Sequence, residues 1–304
     1  MTLIVYTHPD CLEHSPPAGH PERRERLEAA MAGIEQLDHP EIRESSPAGR
    51  ADLERVHGAN YLQSLHDLDS SGSLLSLDPD TYLGRHSLRA ALLATGAVCE
   101  GVDQVMSDPE NAVFAIVRPP GHHAEAARAM GFCLLNSIAA GAARAADVHG
   151  LDRIAVVDFD VHHGNGTEAI LRDHARFQFL SSHQAPLYPG TGDPAKNTAS
   201  NVVNATLTAH SGSDEFRSLW TEHLLPAIDR FKPQLLLVSA GFDGHWRDPL
   251  AQLQLKDQDF YWIGEQLMGL ARKHASGRLV ASLEGGYDLA AITESVVAFG
   301  EAIE

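Results

Sequence analysis

Cysteine is scarce in this chain: Cys11, Cys99 and Cys133 are the only three in 304 residues, far apart and without metal-ligand spacing. That spacing argues against a disulfide framework or a Cys-rich zinc site, and reduced thiols are expected. No apolar run approaches the length that spans a membrane. The N-terminus, MTLIVYTHPDCLEHS, has a short apolar stretch with no basic region before it, which supports neither a signal peptide nor an anchor. The expected compartment is cytoplasmic. Basic side chains are also in the minority, 23 against 41 acidic ones, for a formal net charge of -18. Displacing counterions from phosphates needs basic surface, so the charge opposes nucleic-acid binding. A cationic substrate would be welcome, although acidic surface can equally serve solubility alone. No repeat of fixed period and no linker rich in Gly, Ser or Pro divides the chain, so residues 1–304 are expected to form one domain.

What is present is the composition of a globular enzyme, 43% hydrophobic and 21% charged. Short β-branched, apolar runs at 3–6, 112–117, 153–159, 177–180, 234–239 and 278–282 predict buried strands. Between them, helical spacing covers 22–37, 52–68, 86–106, 134–149, 213–230, 256–275 and 289–302. The alternation predicts an α/β fold of three αβα layers around a central, mostly parallel sheet. Residues 183–201, with Pro186, Pro189, Gly190, Gly192 and Pro194, predict a long loop.

Ligands of such sheets bind beyond the strand C-termini. Five polar, Gly-containing or His-containing segments follow five of the predicted strands: RPPGHHA at 118–124, DFDVHHGNG at 158–166, SSH at 181–183, SAGFDGH at 239–245 and EGGYD at 284–288. Folding needs alone explain such a set poorly. In an extended segment, residues two apart point the same way, so Asp160 and His162 can aim an oxygen and a nitrogen at one ion. Asp243, arriving after the strand at 234–239, is a plausible third ligand, and two carboxylates with one imidazole leave positions open for water and substrate. A hydrogen-bonded Asp-His cluster is the bland alternative for an isolated pair. Four ionisable groups between Asp158 and His163 are costly to gather without a cation, however. Zinc is the expected ion, with Fe(II) or Co(II) permitted by so oxygen-rich a set.

His122 and His123 follow a rigid Arg-Pro-Pro-Gly turn and can face one cavity as a proton-transfer pair. Asp158, acidic, and Asn165, neutral, are suitable orienters beyond them, and that asymmetry would separate the two pKa values. Tyr287, after Gly285 and Gly286, can bring a phenol into the crevice to donate to a developing oxyanion, or can simply close a core.

Taken together these segments resemble the arginase-deacetylase superfamily and, within it, the histone deacetylase family, particularly its class II and bacterial amidohydrolase-like members. The matching motifs are GHPERRERL at 19–27, RPPGHHA, GFCLLN at 131–136, DFDVHHGNG, YPGTG at 188–192, SAGFD and EGGYDL, running in the family's order through nearly the whole chain. The resemblance implies the arginase/deacetylase fold, with Asp160, His162 and Asp243 as zinc ligands. It further implies His123 as main general acid-base with His122 beside it, and Tyr287 as oxyanion donor. It gives an inner potassium ion to Asp158, Asp160, His162, Ser181 and Ser182, largely through backbone oxygens. Phe132 and Tyr188 match aromatic walls of an acyl-lysine tunnel, Gly131 a contact for the substrate amide, and Arg26 an arginine near an acetate-release channel. Asn165 stands where class I members usually carry Asp, which fits the class II pattern.

The function implied is metal-dependent hydrolysis of an N-acyl amine, such as acetyl-lysine or a similar small amide, to a carboxylate and a free amine. Acetylpolyamine amidohydrolases and other small-amide hydrolases remain alternatives. Leu250 stands where polyamine-selective relatives place a glutamate gatekeeper, so that device is absent. Asp80 reads either as a substrate contact or as a turn residue. Binuclear manganese ureohydrolases share the expected fold but need further metal ligands, and a non-catalytic acyl-amine binding protein would not need both His123 and Tyr287. Neither a nucleic acid nor a membrane is expected as a partner, and the sequence gives no reading of oligomeric state.

Overall fold

The computed structural model describes residues 2–69 and 72–304. Eight parallel strands form one sheet: β1 (Leu3–Thr7), β2 (Glu41–Glu44), β5 (Ala112–Ala115), β6 (Ile154–Asp158), β7 (Phe177–Gln184), β8 (Val202–Leu207), β9 (Leu235–Ala240) and β10 (Leu279–Leu283). Their spatial order is β2-β1-β5-β10-β9-β6-β7-β8, and every neighbouring pair is parallel. A separate antiparallel hairpin joins β3 (Leu75–Asp78) to β4 (Thr81–Leu83).

The central strands read AVFA, IAVVD, LLLVSA and LVASL and are buried throughout, as strands covered on both faces must be. Helix α4 (Ser87–Ser107) packs on α5 (Ser137–Asp147), which in turn lies on β6 and β9. In a second series, α1 (Glu25–Ile34) packs on α10 (Leu289–Ile303), and α10 on α9 (Asp257–His274). The three-layer α/β architecture is thus the expected one. Under the strand ends, Phe159 contacts Phe299 and Phe242 contacts Phe260, at ring-centroid distances of 5.4 and 5.2 Å. Phe159 lies between Asp158 and Asp160, and Phe242 immediately precedes Asp243, so this aromatic layer anchors two polar loops from below. Truncating either ring would cost roughly 3–5 kcal/mol.

Several local expectations need correction. The segment 181–183 belongs to β7, which continues to Gln184 because β8 supplies ladder partners as far as Leu207. The expected helix at 52–68 divides into α2 (Arg50–Glu54) and α3 (Ala59–Asp69), where Gly58 N–H donates to Ala126 O across 2.9 Å. The helix at 213–230 is α7 (Ser213–Leu219) and α8 (Leu225–Phe231), joined by a π-helical turn at Trp220–Leu224. Pro226 lacks the N–H that a regular helix would bond four residues back. Strands β2 and β8 and helix α6 (Asn165–Leu171) have no counterpart in the sequence reading. β2 reads EIRE, a mostly exposed edge strand with little apolar signal, whose charges discourage further pairing.

Candidate active site

The loops after β5, β6, β9 and β10, four adjacent strands, meet at the C-terminal edge of the sheet. There Asp160, His162 and Asp243 bring one ligand atom each to within 4.8 Å of one another. His162 Nδ1 stands 3.1 Å from Asp160 Oδ1 and 3.1 Å from Asp243 Oδ2. Backbone donors fix both carboxylates: His162 N and Gly285 N donate to the two oxygens of Asp160, and Val161 N donates to Asp243 Oδ1. Both aspartates are fully buried. Burial disfavours a charged imidazole, but the bonds to Asp160 and Asp243 raise His162 to about 10. Two buried carboxylates thus demand a cationic partner, and a divalent ion fits that donor set. The site is also shaped around its oxygens: a Cβ on Gly241 would stand 2.0 Å from Asp160 Oδ2, and one on Gly285 2.0 Å from Asp243 Oδ2. A second grouping, His245, Asp257 and Glu294, has similar spacing, but Arg247 already pairs with Glu294.

The adjacent histidines diverge to different partners. His122 Nδ1 lies 3.0 Å from Asp158 Oδ2, and His123 Nδ1 lies 2.8 Å from Asn165 Oδ1. Asn165 Nδ2 donates to Glu125 Oε1 at 3.0 Å, which leaves the amide oxygen facing His123. His123 therefore carries its proton on Nδ1 and presents a free lone pair at Nε2. Burial opposes charge on His122, yet Asp160 and Asp158 raise it to about 10. His123, desolvated and facing two imidazoles at His122 and His162, is held well below the usual histidine range.

A cavity of about 220 Å³ opens over these groups, lined by His122, His123, His162, Asp80, Gly131 and Phe132, with Tyr188, Leu250 and Tyr287 on its walls. Gly131 and Phe132 both have positive φ, and a Cβ on Gly131 would stand 2.4 Å from His123 Cδ2. Glycine alone fits there. Burial pushes the Tyr287 phenol well above its ordinary pKa, so it stays protonated and able to donate. Of the residues that the resemblance gives to potassium, Asp158 ends β6 in register with Ser181 of the neighbouring β7, Ser182 follows within that strand, and Asp160 and His162 lie in the loop after β6. Ser181 Oγ meets His183 Nδ1 at 3.0 Å and Ser182 Oγ accepts from Trp220 Nε1 at 3.1 Å, which engages both hydroxyls with protein groups.

Several residues without a part in the sequence reading support this site. Glu284 Oε2 accepts from the N–H groups of Gly121 and His122 at 2.7 and 3.1 Å, fixing the histidine loop. Glu22, fully buried, makes two 2.6 Å bonds with Arg118 and one of 3.2 Å with Arg26. Burial alone would raise its pKa, but Arg118 and His14 hold it well below the carboxylate range. Arg26 donates to the carbonyls of Glu284 and Gly286 and lies 4.8 Å over the Tyr287 ring. Glu284, Glu22 and Arg118 all sit inside the recognised motifs, which was the available signal.

The histone deacetylase domain model matches residues 20–303. Over 298 residues the chain is 36% identical to a probable deacetylase of Archaeoglobus fulgidus, covering 95% of this chain and 82% of that one. It is 36% identical over 278 residues to the histone deacetylase-like amidohydrolase of Pseudomonas aeruginosa, covering 89% of this chain and 73% of the other. It is also 34% identical to type-2 histone deacetylase 2 of Dictyostelium discoideum, of which it spans only 20%. Among solved structures, the HDA15 HD domain superposes with a TM-score of 0.92 at 29% identity, covering 99% of this chain and 88% of the other. The fold is therefore that of the arginase/deacetylase α/β proteins. The chain belongs to the histone deacetylase family, and that membership supports a hydrolase of the deacetylase or amidohydrolase kind. No helix among the described residues is long and apolar enough to cross a membrane.

Proposed function

We propose that the protein hydrolyses N-acyl amines, with acetyl-lysine or a similar small acyl amide as substrate. The observation that carries this reading is the convergence of His123, His162 and Tyr287 on one cavity, with Asp160 and Asp243 directly behind His162. Asp160, His162 and Asp243 would hold one divalent ion, zinc first and Fe(II) or Co(II) next. Such an ion supplies Lewis-acid polarisation of a carbonyl and acidifies water. His123 Nε2 takes the proton of the attacking water and later returns it to the leaving amine. His122, held charged by Asp158, favours a neutral His123 before the reaction. The protonated phenol of Tyr287 donates to the oxyanion, and Phe132 and Tyr188 wall the acyl chain away from water. Asp158, Asp160, His162, Ser181 and Ser182 would hold a structural potassium ion, largely through backbone oxygens.

Asp80, half-buried on the cavity of an acidic chain, favours acylated polyamines as a second substrate class, although Leu250 offers them no carboxylate. The three buried free thiols suit a reducing, cytoplasmic setting. Turnover of a fluorogenic acetyl-lysine amide by protein loaded with Zn(II), Fe(II) or Co(II) tests the reading. Hydrolysis with at least one metal is expected, and no hydrolysis with any of them would remove it.

A further inference from the structure

Asp248 has no part in the chemistry above, yet it touches both sides of the cavity. Its side chain is nearly fully buried. Oδ2 accepts from Tyr287 N at 2.7 Å, and Oδ1 accepts from Leu250 N at 3.0 Å. Its own N–H donates to His245 O at 2.9 Å. Tyr287 and Leu250 line the same cavity from different loops, one after β10 and the other after β9. A single carboxylate therefore fastens the backbone of one loop to that of the other.

The bond to Leu250 is the ordinary i to i+2 pattern by which an aspartate stabilises its own turn. The bond to Tyr287 is different, because it reaches 39 positions along the chain. Tyr287 also needs such a tether. It follows Gly285 and Gly286, and Gly286 has a φ of 121°, so the chain preceding the phenol is permissive. A donor to an oxyanion must be held to within about 0.5 Å to be effective. A buried carboxyl oxygen, 2.7 Å from the Tyr287 N–H and itself fixed by the second bond to Leu250 N, supplies that constraint.

We propose that Asp248 is a positioning residue for the hydrolysis, acting through Tyr287 and fixing Leu250 relative to it. The proposal rests on the reading of Tyr287 as oxyanion donor. The test is a double-mutant cycle of Asp248→Ala and Tyr287→Phe, using metal-loaded protein and an acetyl-lysine amide, with kcat, KM, metal content and melting temperature recorded. Asp248→Ala should lower kcat roughly 10- to 100-fold with KM changed less than about threefold and metal retained, a smaller loss than removal of the oxyanion donor itself. In the Tyr287→Phe background the same change should cost less than about twofold, because the group being positioned is gone. Asp248→Asn keeps one acceptor oxygen and nearly the same shape, and should give an intermediate loss; it replaces Asp248→Ala in the cycle if that variant does not fold. Equal losses from the Asp248 change in both backgrounds would overturn the positioning role while leaving Tyr287 as donor. Wild-type turnover in Tyr287→Phe alone would overturn both.

Discussion

The rings of His122 and His123 lie with centroids 4.0 Å apart, yet their Nδ1 atoms bond to a carboxylate and an amide respectively. Asp158 stabilises an imidazolium at His122, while Asn165 accepts the Nδ1 proton of His123 without adding charge. The positive His122 then opposes a second charge on its neighbour, which separates two side chains adjacent in sequence into opposite protonation states.

Asn165→Asp tests that division. A carboxylate beside His123 favours its charged form, so its pKa rises. Activity that needs a neutral His123 is lost as pH falls through that pKa, and the acid limb of kcat/KM should move to higher pH by roughly one unit or more. An unmoved acid limb would show that the partner of His123 does not set its titration.

His123→Ala removes the proposed proton carrier, and Tyr287→Phe removes one phenolic hydrogen. Both leave Asp160, His162 and Asp243 in place, so metal content should stay near wild type. Turnover should fall roughly 10²- to 10⁴-fold for the histidine variant and about 10²- to 10³-fold for the tyrosine variant. Steady-state rates on metal-loaded protein check both, and wild-type rates in either would refute the assigned role.

Stability should weaken in mild acid because of His57. Burial lowers its pKa from 6.5 to about 4. Its Nδ1 lies 3.1 Å from Glu125 O, and its Nε2 accepts from Asn136 N at 2.9 Å, so only the neutral ring satisfies both bonds. Between pH 6.5 and 4 the unfolded chain takes up a proton that the folded chain refuses. The contribution is therefore complete above pH 6.5 and lost as pH falls through this window, by about 3 kcal/mol at most. Denaturant midpoints of wild type and His57→Gln, measured across the window, should show a shallower pH slope in the variant. Parallel slopes would exclude His57 as the source.

Leu250→Glu places a carboxylate on the cavity wall. Selectivity for an acetylated polyamine over a neutral acetyl-lysine amide should rise about tenfold or more, since an opposite charge meets the substrate cation in a partly desolvated site. Competition between the two substrates measures it, and an unchanged ratio would mean that position 250 does not govern choice of the amine.

Much of the site was legible because its residues cluster in short segments at strand ends. Asp160 and His162 could be paired from a two-residue spacing, and His122 and His123 from adjacency. Asp158 and Asn165 could be singled out as orienters of unlike charge, but that Asp158 meets His122 and Asn165 meets His123 comes from the structure alone. Glu284 reaching Gly121, Glu22 reaching Arg118 and Asp248 reaching Tyr287 were not legible, since nothing local indicates a partner 39 to 163 positions away. The fold shows the same limit. The central strands announce themselves by continuous apolar runs, whereas EIRE at β2 is an edge strand whose exposed charges hide it.

The most direct test of the account is the metal content of the purified protein, measured alongside hydrolysis. One catalytic ion per chain is expected in the wild type, with loss of both ion and turnover in Asp243→Ala and in His162→Ala. Full metal occupancy in those two variants, or undiminished turnover by wild-type protein stripped of metal, would contradict it.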